Sequence, residues 1–555
     1  MTASDFDREW EKLAREVVSG MKEWRIQHPR ATWKELEEAL DQRLNRMRAR
    51  LLEDMALASE AARLQEEGAR ARCPQCGEPL ASRGKRKRRL QTNGGEEIVL
   101  ERRYGVCPTC QAGIFPLDEE LQLLPGGLTP NLAEELTHLG AWMPFEQARE
   151  MLRRMRGVAV SEATVRRQTE RNGAAYVSVQ EAEVERIEHE QPEAPIGPEK
   201  QVLSVDGAMA PLVGGAWAEV KTLVVGVLGE PVIDGAEQHV HARELSYFSR
   251  LLEAEAFTRL ALTEIQRRGV EKAGKVIAVT DGAEWVQGFI DYHRPDAVRI
   301  LDFPHAAEYV GKIGAAIWGE GTAESAGWLE QQLQRLKHEG PGAVLADVRA
   351  LVAAHPDQPE LAGWLAYLEK REAQMPYPTC QKEGWPMGSG AVESGNKLVV
   401  AARLKGSGMH WARDHVNPML GLRNAVCSDR WDEAWEQICG YRRRQAHEGR
   451  RRRARRRAAV SDAPSDNGAL PVGEALPRSD GAAPIPVPEA VLPVETEGVA
   501  QPKQPWRPPP DHPWRTYPAC TSSRSRSRPP MDAKKMTDTP VSPSLQKRTA
   551  EAPGA

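Results

Sequence analysis

The chain lacks any apolar run approaching the roughly 20 residues needed to span a bilayer, so no membrane partner is expected. Neither sign of charge dominates. With 75 Lys and Arg against 79 Asp and Glu, the whole molecule is not a polycation. Its basic residues are clustered, however, and local clusters select partners. Aromatics are scarce at 6%, yet they include 15 Trp. Eight cysteines in 555 residues are too few for a disulfide scaffold, and four of them fall in CxxC pairs. The opening stretch "MTASDFDREWEKLAREV" is charged from its start, which argues against a secretory leader. These absences predict a soluble protein of a reducing cytoplasm. The length predicts three or four domains rather than one.

What is present divides the chain into textures. Residues 1–70 predict helices. Phe6, Trp10, Leu13, Val17, Met21 and Trp24 recur every three or four positions. After Pro29, Thr32 and Glu35 fit a capping box, and Leu36, Leu40, Leu44, Met47, Leu51 and Met55 continue one apolar face. Such a region serves as a helical hairpin docked on the body or as a dimerisation helix. Residues 71–117 hold Cys73/Cys76 and Cys107/Cys110 around a predicted β-hairpin, with Asn93-Gly94 as a type I′ turn signal and "EEIVLERRY" as a strand. Two CxxC knuckles bring four thiolates about 2.3 Å from one structural Zn²⁺. Between residues 70 and 110, ten Arg and Lys stand against four Glu. Arg83, Lys85, Arg86, Lys87, Arg88 and Arg89 are suited to lie along DNA phosphates, or form a solvated charged loop.

Residues 118–175 resemble a helix-turn-helix. "PFEQAREMLRRM" is helical, "RGVAV" turns, and Ser161 caps a second helix carrying Arg166, Arg167 and Arg171 outward. A Pro-containing linker, "EQPEAPIGPEK", precedes residues 200–442. There β-branched runs alternate with helices, which predicts an α/β domain with a helical insertion at about 306–380. The tail, 443–555, begins with an Arg-rich patch and becomes Pro-rich, so it is expected to be disordered and basic.

Three acids stand out. Asp206 and Asp281 each end an apolar run and precede a glycine. Glu393 opens a helix after the broken stretch "GWPMGSG". Acidic side chains without a histidine or thiolate cluster suit Mg²⁺ or Mn²⁺. Two such ions about 4 Å apart suit in-line phosphoryl transfer.

The double CxxC ribbon, "SVDGA", "WAEVKT", "VTDGAEW", "DFPHAAEYV", "GSGAVES" and "RLKGSGMHW", in that order, resemble a DDE transposase of a bacterial insertion sequence, of the ISKra group and broadly akin to the Mutator-like class. The resemblance covers about 30–440. It implies an RNase H-like core in which Asp206, Asp281 and Glu393 bind two metal ions. The 393 − 281 = 112 residues between the last two acids imply a helical insertion. Asp302 and His305 resemble the family's DxxH and are expected to support the site. Arg403, Lys405 and Trp411 are expected to line a DNA channel. Trp318, Trp328 and Trp364 are expected in the core of the insertion, or one of them against an unpaired base. The implied partners are double-stranded DNA, both element ends and target, and further copies of the chain in a dimer or larger synapse. The implied location is nucleoid-associated in a bacterial cytoplasm. A non-catalytic zinc-ribbon DNA-binding regulator and a nuclease that cuts without joining share most of these features.

Overall fold

The computed structural model describes residues 3–63, 71–234 and 237–461, all within one unit that reaches Asp466. Helices α1 (Ala3–Gln27) and α2 (Trp33–Leu57) form the expected hairpin. The Thr32–Glu35 capping box is present in both directions, so two orphan amides at the start of α2 are satisfied. The docked face differs from the predicted one. Ala39, Ala49 and Asp54 are buried, whereas Leu40, Leu44 and Met55 are exposed. Small residues let α2 lie close to the ribbon. Glu53 accepts the Val99 amide at 3.0 Å, and Arg48 donates to the Thr92 hydroxyl at 2.8 Å.

The ribbon consists of β1 (Ala81–Gln91), β2 (Glu97–Val106) and β3 (Gly113–Ile114), paired antiparallel in that order. Its turn is longer than the two-residue form expected. The backbone turns through positive φ at Gly94 (87°) and Gly95 (76°), not at Asn93. The turn is held by its neighbours, since the Gly94 amide donates to the Arg156 carbonyl at 2.7 Å and a Cβ on Gly95 would strike the Gly157 carbonyl.

Next come α3 (Pro130–Trp142), α4 (Phe145–Arg156) and α5 (Glu162–Glu190). Gly157 (φ 64°) stops α4, and the Ser161 hydroxyl accepts the Thr164 amide at 3.2 Å to start α5. The helix pair is therefore present. Its second helix is not a short reading element, however. It runs for 29 residues as one spine, because Tyr176, Val184 and Ile187 continue its buried face well past Asn172.

A five-stranded mixed sheet follows: β4 (Lys200–Pro211), β5 (Trp217–Leu228), β6 (Ala242–Arg250), then α6 (Ala254–Arg267), β7 (Lys275–Thr280), α7 (Glu284–His293) and β8 (Val298–Leu301). The spatial order is β6-β5-β4-β7-β8. β4, β5 and β6 pair antiparallel, whereas β7 and β8 run parallel to β4. Apolar residues fill both faces. Leu203, Val205, Leu223 and Phe248 pack with Phe257 of α6 and Phe289 of α7. Val220, Val224 and Tyr247 pack on the other face with Val392, Val399 and Met419. A sheet covered on both sides needs such continuous apolar runs.

The expected helical insertion follows as α8 (Phe303–Trp318), α9 (Ala323–His338), α10 (Pro341–Ala354), α11 (Pro359–Lys370) and α12 (Tyr377–Glu383). Its core is continuous with the sheet: Leu336, Val348, Leu361 and Leu368 are buried in one cluster with Val202, Ile277, Val279 and Ile300, and Trp328 and Trp364 are half-buried against it. Trp318 and Trp328 meet ring to ring at 5.1 Å. Helix α13 (Gly390–Gly395) runs into a π-type turn, Asn396–Ala401, and α14 (Arg413–Cys427) and α15 (Trp431–Ser461) complete the fold.

Residues 443–461 are helical, against the expectation of disorder. Nine arginines in this stretch repel one another, but Trp435 and Ile438 anchor the start of α15 in the core. Further along, Arg442 donates to buried Asn172, and Arg450 pairs with Glu119 at 2.6 Å. The expected disorder of 462–555 lies outside the described residues.

Candidate metal and carboxylate sites

The first site is the thiol cluster. The Sγ atoms of Cys73, Cys76, Cys107 and Cys110 all lie within 4.8 Å of one another, and Cys76 is 3.5 Å from both Cys107 and Cys110. A tetrahedron with 2.3 Å metal–sulfur bonds has edges of about 3.8 Å, so the four thiols can hold a structural metal such as zinc. Crowding separates their acidities. The hydrogen bond to Cys76, then burial, pushes Cys110 up to about 12. Cys107 falls to about 7, because amides of Cys110 and Thr109 and two neighbouring thiols outweigh burial.

The basic run lies on β1 and not in a loop. Arg83, Lys85, Arg86, Lys87 and Arg89 are exposed. Lys85 and Arg89 make cross-strand surface pairs with Glu101 (3.3 Å) and Glu97 (3.0 Å), which are weak and easily exchanged. Arg86 covers the Tyr104 ring at 4.1 Å. Arg88 departs from the phosphate-contact expectation. It is held in place by Asp118 at 2.9 Å and by the carbonyls of Leu124 and Gly126. Arg166, Arg167 and Arg171 are exposed along the first turns of α5.

The second site lies beside the middle of β4 and the carboxyl end of β7: Asp281 directly follows β7, whereas Asp206, expected to end its strand, stands inside β4, which runs on to Pro211 paired with β5. The parallel register pairs Leu203 with Ala278. That is the last β4–β7 pair; Asp206 stands three residues further along β4, and Asp281 three residues further along the chain, just past the end of β7. Glu393 lies in α13, which packs on β4 and β5. A Cβ on Gly395 would sit 2.8 Å from Val224, so only glycine lets α13 approach this closely.

Asp206 feels the other two acids. Burial, followed by the charges of Asp281 and Glu393, pushes Asp206 up to about 6, although the Gly207 amide and Asn396 oppose the rise. Each carboxylate is held through one oxygen. Asp206 Oδ2 accepts from Asn396 Nδ2 at 2.9 Å, Asp281 Oδ1 accepts from the Ala283 amide at 2.9 Å, and Glu393 Oε1 accepts from the Ser389 hydroxyl at 3.2 Å. Among the described residues, the cysteines form the one group of three or more whose ligand atoms all lie within 4.8 Å; the three acids are more widely spread.

Asp302 is a frame for this region. It caps α8 by accepting the His305 amide at 3.2 Å, and it accepts the Ser389 amide at 2.6 Å. It thereby ties the Gly388–Gly390 break to the end of β8. Burial raises its pKa. His305 meets Asp302 through its backbone, while its ring lies 6.3 Å from that of Tyr309.

Several expectations are corrected. The glycines after the two aspartates make room for neighbouring protein atoms. A Cβ on Gly207 would strike Glu219, and one on Gly282 (φ 80°) would strike Arg371, which donates to the Gly282 carbonyl at 3.0 Å. Arg403 and Trp411 are buried at 1% and 5% exposure and line no channel. Arg403 donates to the Gly140 carbonyl at 3.0 Å and lies over the Phe145 and Trp411 rings, and burial pushes it down to about 10. Lys405 is exposed. Sequence reasoning missed Asn396. Its spacing of three from Glu393 was the available signal, since helical residues at i and i+3 share a face.

No helix among the described residues is long and apolar enough to cross a membrane. No protein-family model matches the chain, and the curated proteins contain no match to it.

Proposed function

We propose that the chain is a transposase: an RNase H-like enzyme that binds the ends of a mobile DNA element, cleaves a strand and joins it to target DNA. The observation that supports this reading is that three acids remote in sequence come to one region of the sheet. Asp206 and Asp281 each stand three residues beyond the last pair of the adjacent parallel strands β4 and β7 in a β6-β5-β4-β7-β8 sheet, and Glu393 lies on a helix packed over β4 and β5. That order, with three antiparallel strands followed by two parallel ones, is the arrangement expected of an RNase H-like core, and the insertion falls between the second aspartate and the glutamate.

The donor set fits Mg²⁺ or Mn²⁺, because it consists of carboxylates with no thiol or imidazole among them. Bound ions would cancel phosphodiester charge and activate the attacking oxygen. The protein's part is to hold Asp206, Asp281 and Glu393 through Asn396, Ala283 and Ser389, and to keep Asp206 partly desolvated. Bringing the three carboxylates closer together on cation binding belongs to the proposal. The exposed cations of β1, together with Arg166, Arg167, Arg171 and Lys405, are the proposed DNA contacts. Two copies or more are proposed to pair the element ends.

The test uses full-length, zinc-loaded protein, Mg²⁺ and DNA carrying the inverted repeats that flank the gene. Cleavage at the repeat end, followed by strand joining, is expected. Asp206→Asn is expected to abolish cutting while end binding persists. Binding without any cleavage would indicate a DNA-binding regulator, and cleavage without joining a nuclease.

A further inference from the structure

Asn396 is the first residue of the π-type turn that follows α13, and only 8% of it is exposed. Its Nδ2 donates to Asp206 Oδ2 at 2.9 Å. Its Oδ1 is buried and has no hydrogen-bond partner among the described residues. The orientation of the amide follows from chemistry: an ionised carboxylate only accepts, so the NH₂ group faces Asp206 and the carbonyl oxygen is left over. A buried carbonyl oxygen without a donor is uncommon in a folded protein and calls for an occupant. The π-type turn matters here. One extra residue in the turn rotates the side chains beyond it relative to Glu393, and such turns recur at functional sites. Val399 and Val400, further along the turn, are fully buried and fix its position.

We propose that Asn396 is a fourth member of the carboxylate centre, with Nδ2 fixing the rotamer of Asp206 and Oδ1 supplying a neutral oxygen to a hydrated divalent cation held there. This rests on the reading of Asp206, Asp281 and Glu393 as a cation site. The ligand class is a hard divalent ion, which takes amide and carboxylate oxygens together. Asn396 is a positioning residue for Asp206 and a polar contact for the ion's surroundings.

The probe is Mn²⁺ followed by electron paramagnetic resonance, on zinc-loaded full-length protein without DNA. Asn396→Leu keeps the volume but removes both polar atoms. It is expected to weaken Mn²⁺ binding by about tenfold or more, as loss of a supporting group around a metal does. Its melting temperature in chelator should stay near the wild-type value. Asn396→Asp retains an oxygen and loses the N–H, and it is expected to bind Mn²⁺ at least as tightly as wild type. Wild-type affinity in Asn396→Leu overturns the proposal, as does an equal loss in Asn396→Asp. Should Asn396→Leu not fold, Asn396→Asp decides: retained affinity supports the oxygen-donor role, and a tenfold loss overturns it. Asp281→Asn separates the two levels. If it loses Mn²⁺ while Asn396→Leu does not, only the role of Asn396 falls. If it binds as wild type does, the carboxylate centre falls, and Asn396 with it.

Discussion

At the residue scale, Asp206 has the clearest energetic signature. Its raised pKa means that ionising it costs more in the folded chain than in the unfolded one. For a carboxyl pushed up to about 6, that cost is absent well below pH 4, grows between about pH 4 and pH 6, and is complete above pH 6. The size is on the order of 2 kcal/mol after allowing for solvent screening. Metal-free Asp206→Asn should therefore melt above wild type at pH 7.5, and the gap should close as pH falls to 4, by calorimetry in chelator. A wild-type protein that melts higher at pH 7.5 would contradict this. Arg403 and Lys405 give a paired prediction, although they stand two residues apart. Arg403→Ala leaves the Gly140 carbonyl and two aromatic faces without their partner, and should cost about 2–4 kcal/mol of stability. Lys405→Ala should leave melting unchanged and weaken DNA binding, with a shallower salt dependence. Melting curves check the first, and DNA titrations at two salt concentrations check the second. Sequence alone could not separate these two residues, because a buried arginine and a phosphate-contacting arginine carry the same letter. What distinguishes Arg403 is its setting between nearby Trp411 and Phe145, which comes from a remote part of the chain.

At the scale of elements, the strands were the most legible features. "VIAVT" forms β7 as expected, and "VLSVD" forms the first half of β4, which continues through Asp206 and Gly207 to Pro211 because β5 pairs with it along its length. The capping box of α2 and the cap of α5 were equally local, and both are present. Features set by packing were not legible. The apolar stripe on α2 suggested one buried face, but close approach to β2 selected the alanines instead. The helix after Arg442 was hidden by its charge, and its anchors lie on α5 and near Glu119. The ribbon yields a prediction at this scale. Its small core holds two of the four cysteines, Cys73 and Cys107, with Leu80, Ala112 and Ile114. Too little apolar area is buried there to fold it without a staple. One zinc per chain is expected by metal analysis. Cys107→Ser should release it and expose β1 to hydrogen exchange, while β4 and β7 stay protected. Unchanged protection of β1 in metal-free protein would contradict a structural metal.

At the scale of the whole molecule, the order of modules was legible and the joints between them were not. The ribbon turn is bonded to the α4–α5 turn through Gly94 and Arg156, and α5 continues as a spine against α14. Basic residues of β1 and α5 thus belong to one connected body with the carboxylate end of the sheet. Replacing Arg83, Arg86 and Lys87 together with alanine should lower affinity for end DNA by about 10–100-fold at moderate salt, with chain stability unchanged. The most direct measurement of the central claim is anomalous diffraction from crystals of the zinc-loaded protein soaked in Mn²⁺. The account predicts Mn²⁺ density in contact with Asp206 and Asp281, with Glu393 turned toward it. Mn²⁺ elsewhere only, with the three carboxylates left apart, would contradict it.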